Sequence, residues 1–447
     1  MFLLPPGVRH VRVQWAIWRS GGIAVPLSAS QAPGEWSDII ADTGAALVVG
    51  DDSAAVLRSI AAARGARFVD AASLGESDEP QRPLPEVASD RRAMILFTSG
   101  TTSRPKGVVT THRNLEAQYD TLGAAWGWTA ADRVLHVLPL NHVHGIVNVL
   151  GCALWAGAAC EFLQPFEAVA VWNRMAAGGV SLFMAVPTIY ARLLAAWDAA
   201  DGPQRARWSR AAGGLRLMVS GSAALPVSLL ERWQAATGHV LLERYGMTEI
   251  GMALSNPLAG ERRAGSVGRP LPGVAVRLVD EHGAEVAAGV PGEIEVRGES
   301  VFREYWARPD ATRDAFRDGW FRTGDVAVVE NGTYRILGRQ SVDIIKTGGY
   351  KVSALEIEDS LRGHPDVRDC AVVGVPDDEW GERVAVAIVP RSRVGPALDE
   401  LRGWAAARLA KYKLPTRMRL VDELPRNAMG KVVKARVKEL FFTPAGG

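Results

Sequence analysis

Ten consecutive residues, Thr98-Ser99-Gly100-Thr101-Thr102-Ser103-Arg104-Pro105-Lys106-Gly107, have the composition of a phosphate grip. Small hydroxyl and glycine residues let backbone N–H groups close around phosphate oxygens, and Lys106 adds a positive charge. The run directly follows an apolar stretch, residues 94–97, that reads as a strand. Strand, Ser/Thr/Gly loop and Pro-Lys-Gly ending together point to nucleotide phosphate chemistry rather than a surface turn. The spacing is not that of a Walker A loop, which argues against kinase-like and ATPase readings. Further segments carry residues of the same kind: Gly221-Ser222-Ala223-Ala224-Leu225, Tyr245-Gly246-Met247-Thr248-Glu249, Thr323-Gly324-Asp325 and Gly338-Arg339. Each alone reads as a turn or a solvated charge. A carboxylate such as Glu249 is the hard oxygen ligand that an ion bridging phosphates needs.

The elements that must position these residues are legible as an α/β rhythm. Residues 11–18 and 35–44 read as helices; 21–27 reads as a turn and a buried strand, and 45–50 as another strand. Residues 182–186 and 215–219 are apolar strands, each leading through a turn to a helix. Strands alternating with helices indicate a largely parallel sheet. After Gly265 short strands at 274–279, 292–296 and 326–329, separated by Gly, Pro and Asp turns, suggest a β-rich subdomain. A second change falls near Gly338. Helices at 356–361 and 398–411 and strands at 367–375, 384–389 and 418–421 then make a compact α+β unit. The expected organisation is a large unit over 1–338 and a small one over 339–447.

Composition narrows the class. With 51 basic and 49 acidic residues the net charge is +2, which suggests neither a nucleic-acid surface nor a polybasic membrane arm. The longest apolar run, 145–160, contains Asn148 and is short of the about 20 residues a bilayer span needs, so it reads as buried structure. Three cysteines, Cys152, Cys160 and Cys370, without CxxC spacing fit a reducing compartment and argue against a disulfide framework or zinc site. Cys152 and Cys160 read as core residues. No secretory signal is visible at residues 1–7.

The loop at 98–107 resembles that of the adenylate-forming enzymes: acyl-CoA synthetases, luciferases and peptide-synthetase adenylation domains. Ser103 stands where that family usually has Gly. The other segments match the family's motifs in order. The resemblance implies a two-step reaction in which a carboxylate attacks ATP to give acyl-AMP and pyrophosphate, and CoA then gives the thioester. It implies ATP, Mg2+ and CoA as ligands. Thr98, Ser99, Gly100, Thr101, Thr102 and Lys106 would hold phosphate, and Gly221, Ser222 and Ala223 would meet the adenine edge. Tyr245 would stack on adenine, Thr248 contact the phosphate and Glu249 help hold Mg2+. Asp325 and Arg339 would bind the ribose. The segment 343–352, with Lys346, Gly348 and Gly349, would face CoA, its glycines allowing close backbone approach. Lys431, in Pro425-Arg426-Asn427-Ala428-Met429-Gly430-Lys431, would bridge the attacking carboxylate and the α-phosphate as charge builds. The small unit is implied to rotate between the two steps about residues 340–343.

Segments 136–140, 183–190, 218–225 and 242–245 look like malonyl-CoA synthetases, especially the mitochondrial type. A dicarboxylate needs a buried cation for its distal carboxylate, and arginine forks onto carboxylate best. By that likeness Arg262 is expected to bind it, the plainer reading being a surface arginine beside Arg263. His142 and His144, in Pro139-Leu140-Asn141-His142-Val143-His144-Gly145, fall where the family places its acyl pocket wall; His142 is expected to serve catalysis and His144 the substrate carboxylate. A structural role is their alternative.

The same likeness implies that the chain enters the family's large domain part-way, with a first helix pair and strands preceding Met1 in relatives. Cytoplasmic location is expected, with the mitochondrial matrix as the alternative should a targeting segment precede. Competing functions are a CoA ligase for another short or aryl acid, a truncated inactive nucleotide-binding homologue, and an adenylation domain serving a separate carrier.

Overall fold

The computed structural model describes residues 1–51, 54–74, 83–98, 105–348, 350–392, 394–426 and 432–442. Ser99, Gly100, Thr101, Thr102, Gly349 and Lys431 lie outside the described residues.

A seven-stranded sheet organises the large part of the chain. Its order is Arg269–Pro270, Gly251–Ser255, Leu242–Met247, Leu217–Ser220, Leu182–Ala185, Arg133–His136 and Ala159–Phe162. From Leu242–Met247 onward the pairings are parallel; the first two strands are antiparallel. Strands buried on both faces read as continuous apolar runs, as these do. Alternation along them divides two cores. Leu182, Met184, Leu217 and Val219 face one core with Leu115, Leu122 and Trp126 of helix His112–Trp126. Phe183, Ala185 and Met218 face the other, with Trp172, Trp208 and Trp233 from three further helices. Trp172 stacks between the other two, with centroids 5.5 and 5.4 Å apart.

A three-stranded parallel sheet, Phe2–Leu3, Leu47–Gly50 and Arg67–Asp70, shares a core with Ile95 and Val109. Its helix Pro33–Thr43 has Pro at its start and stops at Gly44, whose φ of 60° is the left-handed cap glycine tolerates. The strand expected over 21–27 reduces to isolated bridges, Ala24 to Met94 and Phe2 to Pro26, because Pro26 has no N–H to continue a ladder.

Strands Arg92–Thr98 and Lys106–Thr111 form an antiparallel hairpin, with Glu304–Tyr305 on its far edge. A five-stranded antiparallel sheet follows: Val274–Val279, Gly292–Gly298, Trp320–Glu330, Phe316–Arg317 and Thr333–Arg339. This is the expected β-rich part. Asn331 and Gly332 turn the last hairpin with φ of 51° and 73°, the both-positive geometry that Asn-Gly suits.

From Ile344 onward a separate five-stranded sheet forms from Tyr350–Ser353, Ile344–Thr347, Gly381–Pro390, Val367–Asp377 and Arg417–Leu420. It has its own core of Ile345, Val352, Ile357, Leu361, Val372 and Val386. The expected α+β texture is present, with one helix shorter than expected. Leu398–Ala406 ends where the amides of Arg408 and Leu409 turn back onto the Ala405 carbonyl, 2.9 and 2.8 Å away. Among the described residues no helix is long and apolar enough to cross a membrane. The run 145–160 is instead an internal helical segment, His144–Gly151 followed by Cys152–Trp155, and Cys152 is buried.

Candidate active site

Asp325 and Arg339, the residues expected at the ribose, meet by strand register. Turn Asn331-Gly332 and a bulge between Val326 and Ala327 set Asp325 directly opposite Arg339. Arg339 Nε donates to Asp325 Oδ1 at 3.2 Å, and Tyr245 Oη donates to Asp325 Oδ2 at 2.6 Å. Tyr245 comes from the seven-stranded sheet, so this contact joins the two sheets. Gly246 is required beside it: a Cβ there would lie 2.0 Å from the Gly251 carbonyl oxygen.

Glu249 follows in the turn after Leu242–Met247 and is buried. Tyr305 Oη donates to its Oε1 at 2.9 Å, and Lys106 Nζ stands 4.8 Å over the Tyr305 ring. Burial raises the Glu249 pKa, against the pull of the Tyr305 hydroxyl and Arg339. Among the described residues no group of three or more metal-ligating side chains occurs. A single buried carboxylate, beside cationic groups that attract phosphate, fits an ion held by one protein ligand while phosphate oxygens and water supply the rest. Sequence reasoning missed Tyr305, which lies 56 positions from its partner.

A second cluster lies beside the first. Strands Leu217–Ser220 and Leu242–Met247 pair with Glu243 opposite Ser220, which sets Arg244 against the Gly221 turn. A Cβ on Gly221 would sit 2.4 Å from Arg244 Cζ, so glycine makes room for the guanidinium. Arg244 is 3% exposed, and its Nε and Nη2 have no hydrogen-bond partner among the described residues. Burial pulls its pKa down to about 9. His144 Nδ1 lies 3.2 Å from Ser222 Oγ, and its Nε2 is buried and equally without a partner. Burial, then the charge of Arg244, holds the His144 pKa well below the usual range, so the ring is neutral near pH 7. A buried guanidinium with donors unmet among the described residues, beside a neutral imidazole, suits an anion.

The segment before His144 is fixed by His136. The Leu138 amide donates to His136 Nδ1 at 3.2 Å, which places the ring proton on Nε2, 2.9 Å from the Gly145 carbonyl. Gly145 closes the turn, since a Cβ there would meet the Pro139 oxygen at 2.2 Å. His142 is half-buried on that turn, its carbonyl accepting the Ile146 amide at 3.0 Å.

Arg262, expected at the substrate carboxylate, is engaged by backbone. Its Nε, Nη1 and Nη2 already donate to the carbonyls of Pro257, Val240 and Leu258 at 3.2, 2.5 and 2.8 Å. These bonds staple a loop and use three of the guanidinium's five N–H groups; no hydrogen bond among the described residues ties Arg262 to the cluster of Arg244 and His144. Nor are Lys346 and Gly348 brought to the cluster: both are exposed, and their amides donate to Glu382 and the Trp380 carbonyl. Ala223 is exposed and Thr248 half-buried on their turns.

Glu243 points to the opposite face from Arg244, as alternation requires. Its Oε1 accepts the Leu225 amide at 3.2 Å and its Oε2 has no partner among the described residues. Burial, with help from Asp359, pushes its pKa up to about 8. Between pH 4.5, the ordinary value, and about 8 the folded chain keeps a proton that the unfolded chain releases. Stability therefore falls as pH rises through that window, by at most about 1.4 kcal/mol per pH unit. Glu243→Gln should remove this slope. In urea denaturation its advantage over wild type should grow by roughly 3 kcal/mol between pH 5 and pH 8; parallel curves would refute the assignment.

Comparison with known proteins gives the following. The family model described as AMP-binding enzyme matches residues 1–306, and that of the AMP-binding enzyme C-terminal domain matches 356–431. The mitochondrial malonate–CoA ligase ACSF3 of Xenopus laevis is 48% identical over 476 residues, covering 99% of this chain and 82% of the relative. The malonate–CoA ligase of Arabidopsis thaliana is 42% identical, over 97% and 76% of the two chains. Among solved structures, ATP-bound MatB of Rhodopseudomonas palustris superposes with a TM-score of 0.88 at 36% identity, over 98% and 88%. A malonyl-CoA ligase product complex with methylmalonyl-CoA and AMP gives 0.68 at 40% identity, over 95% and 90%.

Proposed function

We propose that this chain, which belongs to the AMP-binding enzyme family, joins malonate to CoA through an acyl-adenylate, using ATP and releasing AMP and pyrophosphate. It is an acid–thiol ligase of the AMP-forming kind. The observation that carries the choice of acid is the buried guanidinium of Arg244, whose Nε and Nη2 have no partner among the described residues, beside His144 Nε2, which has none there either. A malonate whose distal carboxylate met these two donors would present its other carboxylate toward the nucleotide cluster. An unpaired buried cation is costly, and a carboxylate of matching geometry offsets that cost. A fatty acid would leave it uncompensated.

In the first step the near carboxylate attacks the α-phosphate and pyrophosphate leaves. Asp325 and Arg339 hold the ribose, Tyr245 the adenine, and Thr98, Ser99, Gly100, Thr101, Thr102, Lys106 and Thr248 the phosphates. Gly221, Ser222 and Ala223 border the adenine edge. Glu249, kept in place by Tyr305, would hold Mg2+, whose chemistry is to neutralise charge on the phosphate oxygens. Lys431 meets the carboxylate and phosphate as charge builds, and His142 lines the reacting end. In the second step the CoA thiol attacks the acyl carbon and AMP leaves, with Lys346, Gly348 and Gly349 facing CoA. Rotation of the small unit, 339–447, against the large one, 1–338, about 340–343 would exchange the two faces. The better superposition on the ATP-bound neighbour than on the product complex supports reading this arrangement as the adenylating one.

Methylmalonate differs from malonate by one methyl, worth only about 1–3 kcal/mol in a pocket, so it is accepted as well. Three free thiols fit a reducing compartment. The cytoplasm is our working location, and the mitochondrial naming of the ACSF3 relatives makes the matrix its alternative. The test is thioester formation from CoA, ATP and Mg2+ with malonate, methylmalonate, acetate, octanoate and benzoate. Turnover is expected with the first two alone; turnover led by a monocarboxylate would keep the family and remove malonate.

A further inference from the structure

We propose that Lys434 is a positioning residue for the adenylation step, pinning, with Arg426, both ends of the loop that carries Lys431 to one partly buried chain of charges. The inference deepens the ligase reading above and rests on it.

The base of that loop is clamped by backbone. Arg426 pairs antiparallel with Val432, and the Val433 amide donates to the Pro425 carbonyl at 2.8 Å. Residues 427–431, between them, lie outside the described residues. Just past the clamp, the Lys434 side chain is 10% exposed. An ammonium has three N–H donors, and here three acceptors surround it: the Glu358 carboxylate, the Val372 carbonyl at 2.7 Å and Asp343 Oδ1 at 3.3 Å. The side chain is thus fixed in position and direction.

The charges continue without a gap. Glu358 also accepts from Arg362 at 3.2 Å and from the Val372 amide at 2.8 Å. Arg362 Nε lies 3.5 Å from Asp369 Oδ1, and Asp369 Oδ2 accepts Arg426 at 2.5 Å. The sequence Asp343, Lys434, Glu358, Arg362, Asp369, Arg426 therefore alternates in sign from one end of the loop to the other. At its start, Asp343 Oδ2 accepts the amide of Arg339 at 3.1 Å, the residue that also holds Asp325. The loop base is referenced in this way to the ribose side of the nucleotide cluster.

Stability alone does not call for such a chain. Buried ion pairs are often matched or bettered by apolar groups of similar volume. What they supply is geometry, since each charge has one low-energy place among its partners. A lysine that must bridge two anions during phosphoryl transfer depends on such placement, and a shift of about 1 Å costs roughly 100-fold.

The test separates the two half-reactions in the full chain. Adenylation is read as malonate-dependent exchange of pyrophosphate into ATP, and the thioester step in reverse, as CoA release from malonyl-CoA and AMP. Lys434→Met should lower exchange roughly 100-fold while CoA release stays within about threefold, and Lys434→Arg should restore most of the exchange. Arg426→Met, at the more exposed end, should give the same split at about tenfold. If Lys434→Met loses its cooperative unfolding transition, Arg426→Met decides by the same split. Equal loss in both assays, or none in exchange, with an active wild type overturns this proposal alone. A wild type inactive in both assays overturns the ligase reading and this proposal with it.

Discussion

Arg244→Met is expected to lower kcat/KM for malonate by about 10³-fold while leaving the unliganded protein at least as stable as wild type. Two arguments give the two halves. Removing one partner of a buried charge pair costs roughly 2–5 kcal/mol in binding, much of it from the charge left behind. In the free chain, however, the situation is reversed. Arg244 has no partner for its Nε and Nη2 among the described residues, its pKa is drawn down to about 9 by burial, and methionine of similar length removes that burden. Loss of activity with a raised urea midpoint would mark a residue held at a cost to stability for its ligand. Arg262→Met should do the opposite. Three carbonyls lose their donor, so stability falls, while kcat/KM for malonate moves little. Steady-state kinetics and denaturation on the two variants decide the matter. A selectivity loss in Arg262→Met, with Arg244→Met still turning over malonate, would return the carboxylate to Arg262.

The contrast between these arginines shows where sequence reading stops. Asp325 and Arg339 sit in short local motifs, and local rules place them opposite each other. The strand before Thr98 and the Asn331-Gly332 turn, which sets Asp325 opposite Arg339, are both written in nearby residues. The alternation of strands with helices likewise announced the parallel sheet, and short strands between Gly, Pro and Asp turns the β-rich part. What an arginine fork touches is decided by tertiary neighbours. Arg262 finds the Val240, Pro257 and Leu258 carbonyls, whereas Arg244 finds only room, left by Gly221 on the next strand. The usable signal was that glycine: a turn glycine after one strand, level with an arginine on the neighbouring one. Tyr305 had no such signal, since nothing in its own segment tells of Glu249. His136 was visible only as part of a resembling segment, and its role in pinning the His144 turn depends on the Gly145 carbonyl folding back to it.

Asp325 carries the second large effect. Asp325→Ala should weaken ATP binding at least 100-fold, as read by titration calorimetry on the full chain. Its two oxygens accept from Tyr245 and Arg339, and both remain open to further donors, since a carboxylate has about four lone-pair sites. Hydrogen bonds to a charged acceptor contribute about 1.5–3 kcal/mol each, so two ribose hydroxyls account for the expected loss. The substitution also frees Arg339, whose guanidinium then lies near Glu249 without its main counter-charge. Asp325→Asn keeps one acceptor facing Arg339 but turns an NH2 group toward the Tyr245 hydroxyl or the ribose, and it should recover only part of the affinity. Malonate saturation at high ATP should be nearly unchanged in both variants, because Arg244 and His144 belong to the other cluster. Unchanged ATP binding in Asp325→Ala would mean that the Tyr245–Asp325–Arg339 contact only joins the two sheets. The ribose would then have to be held elsewhere.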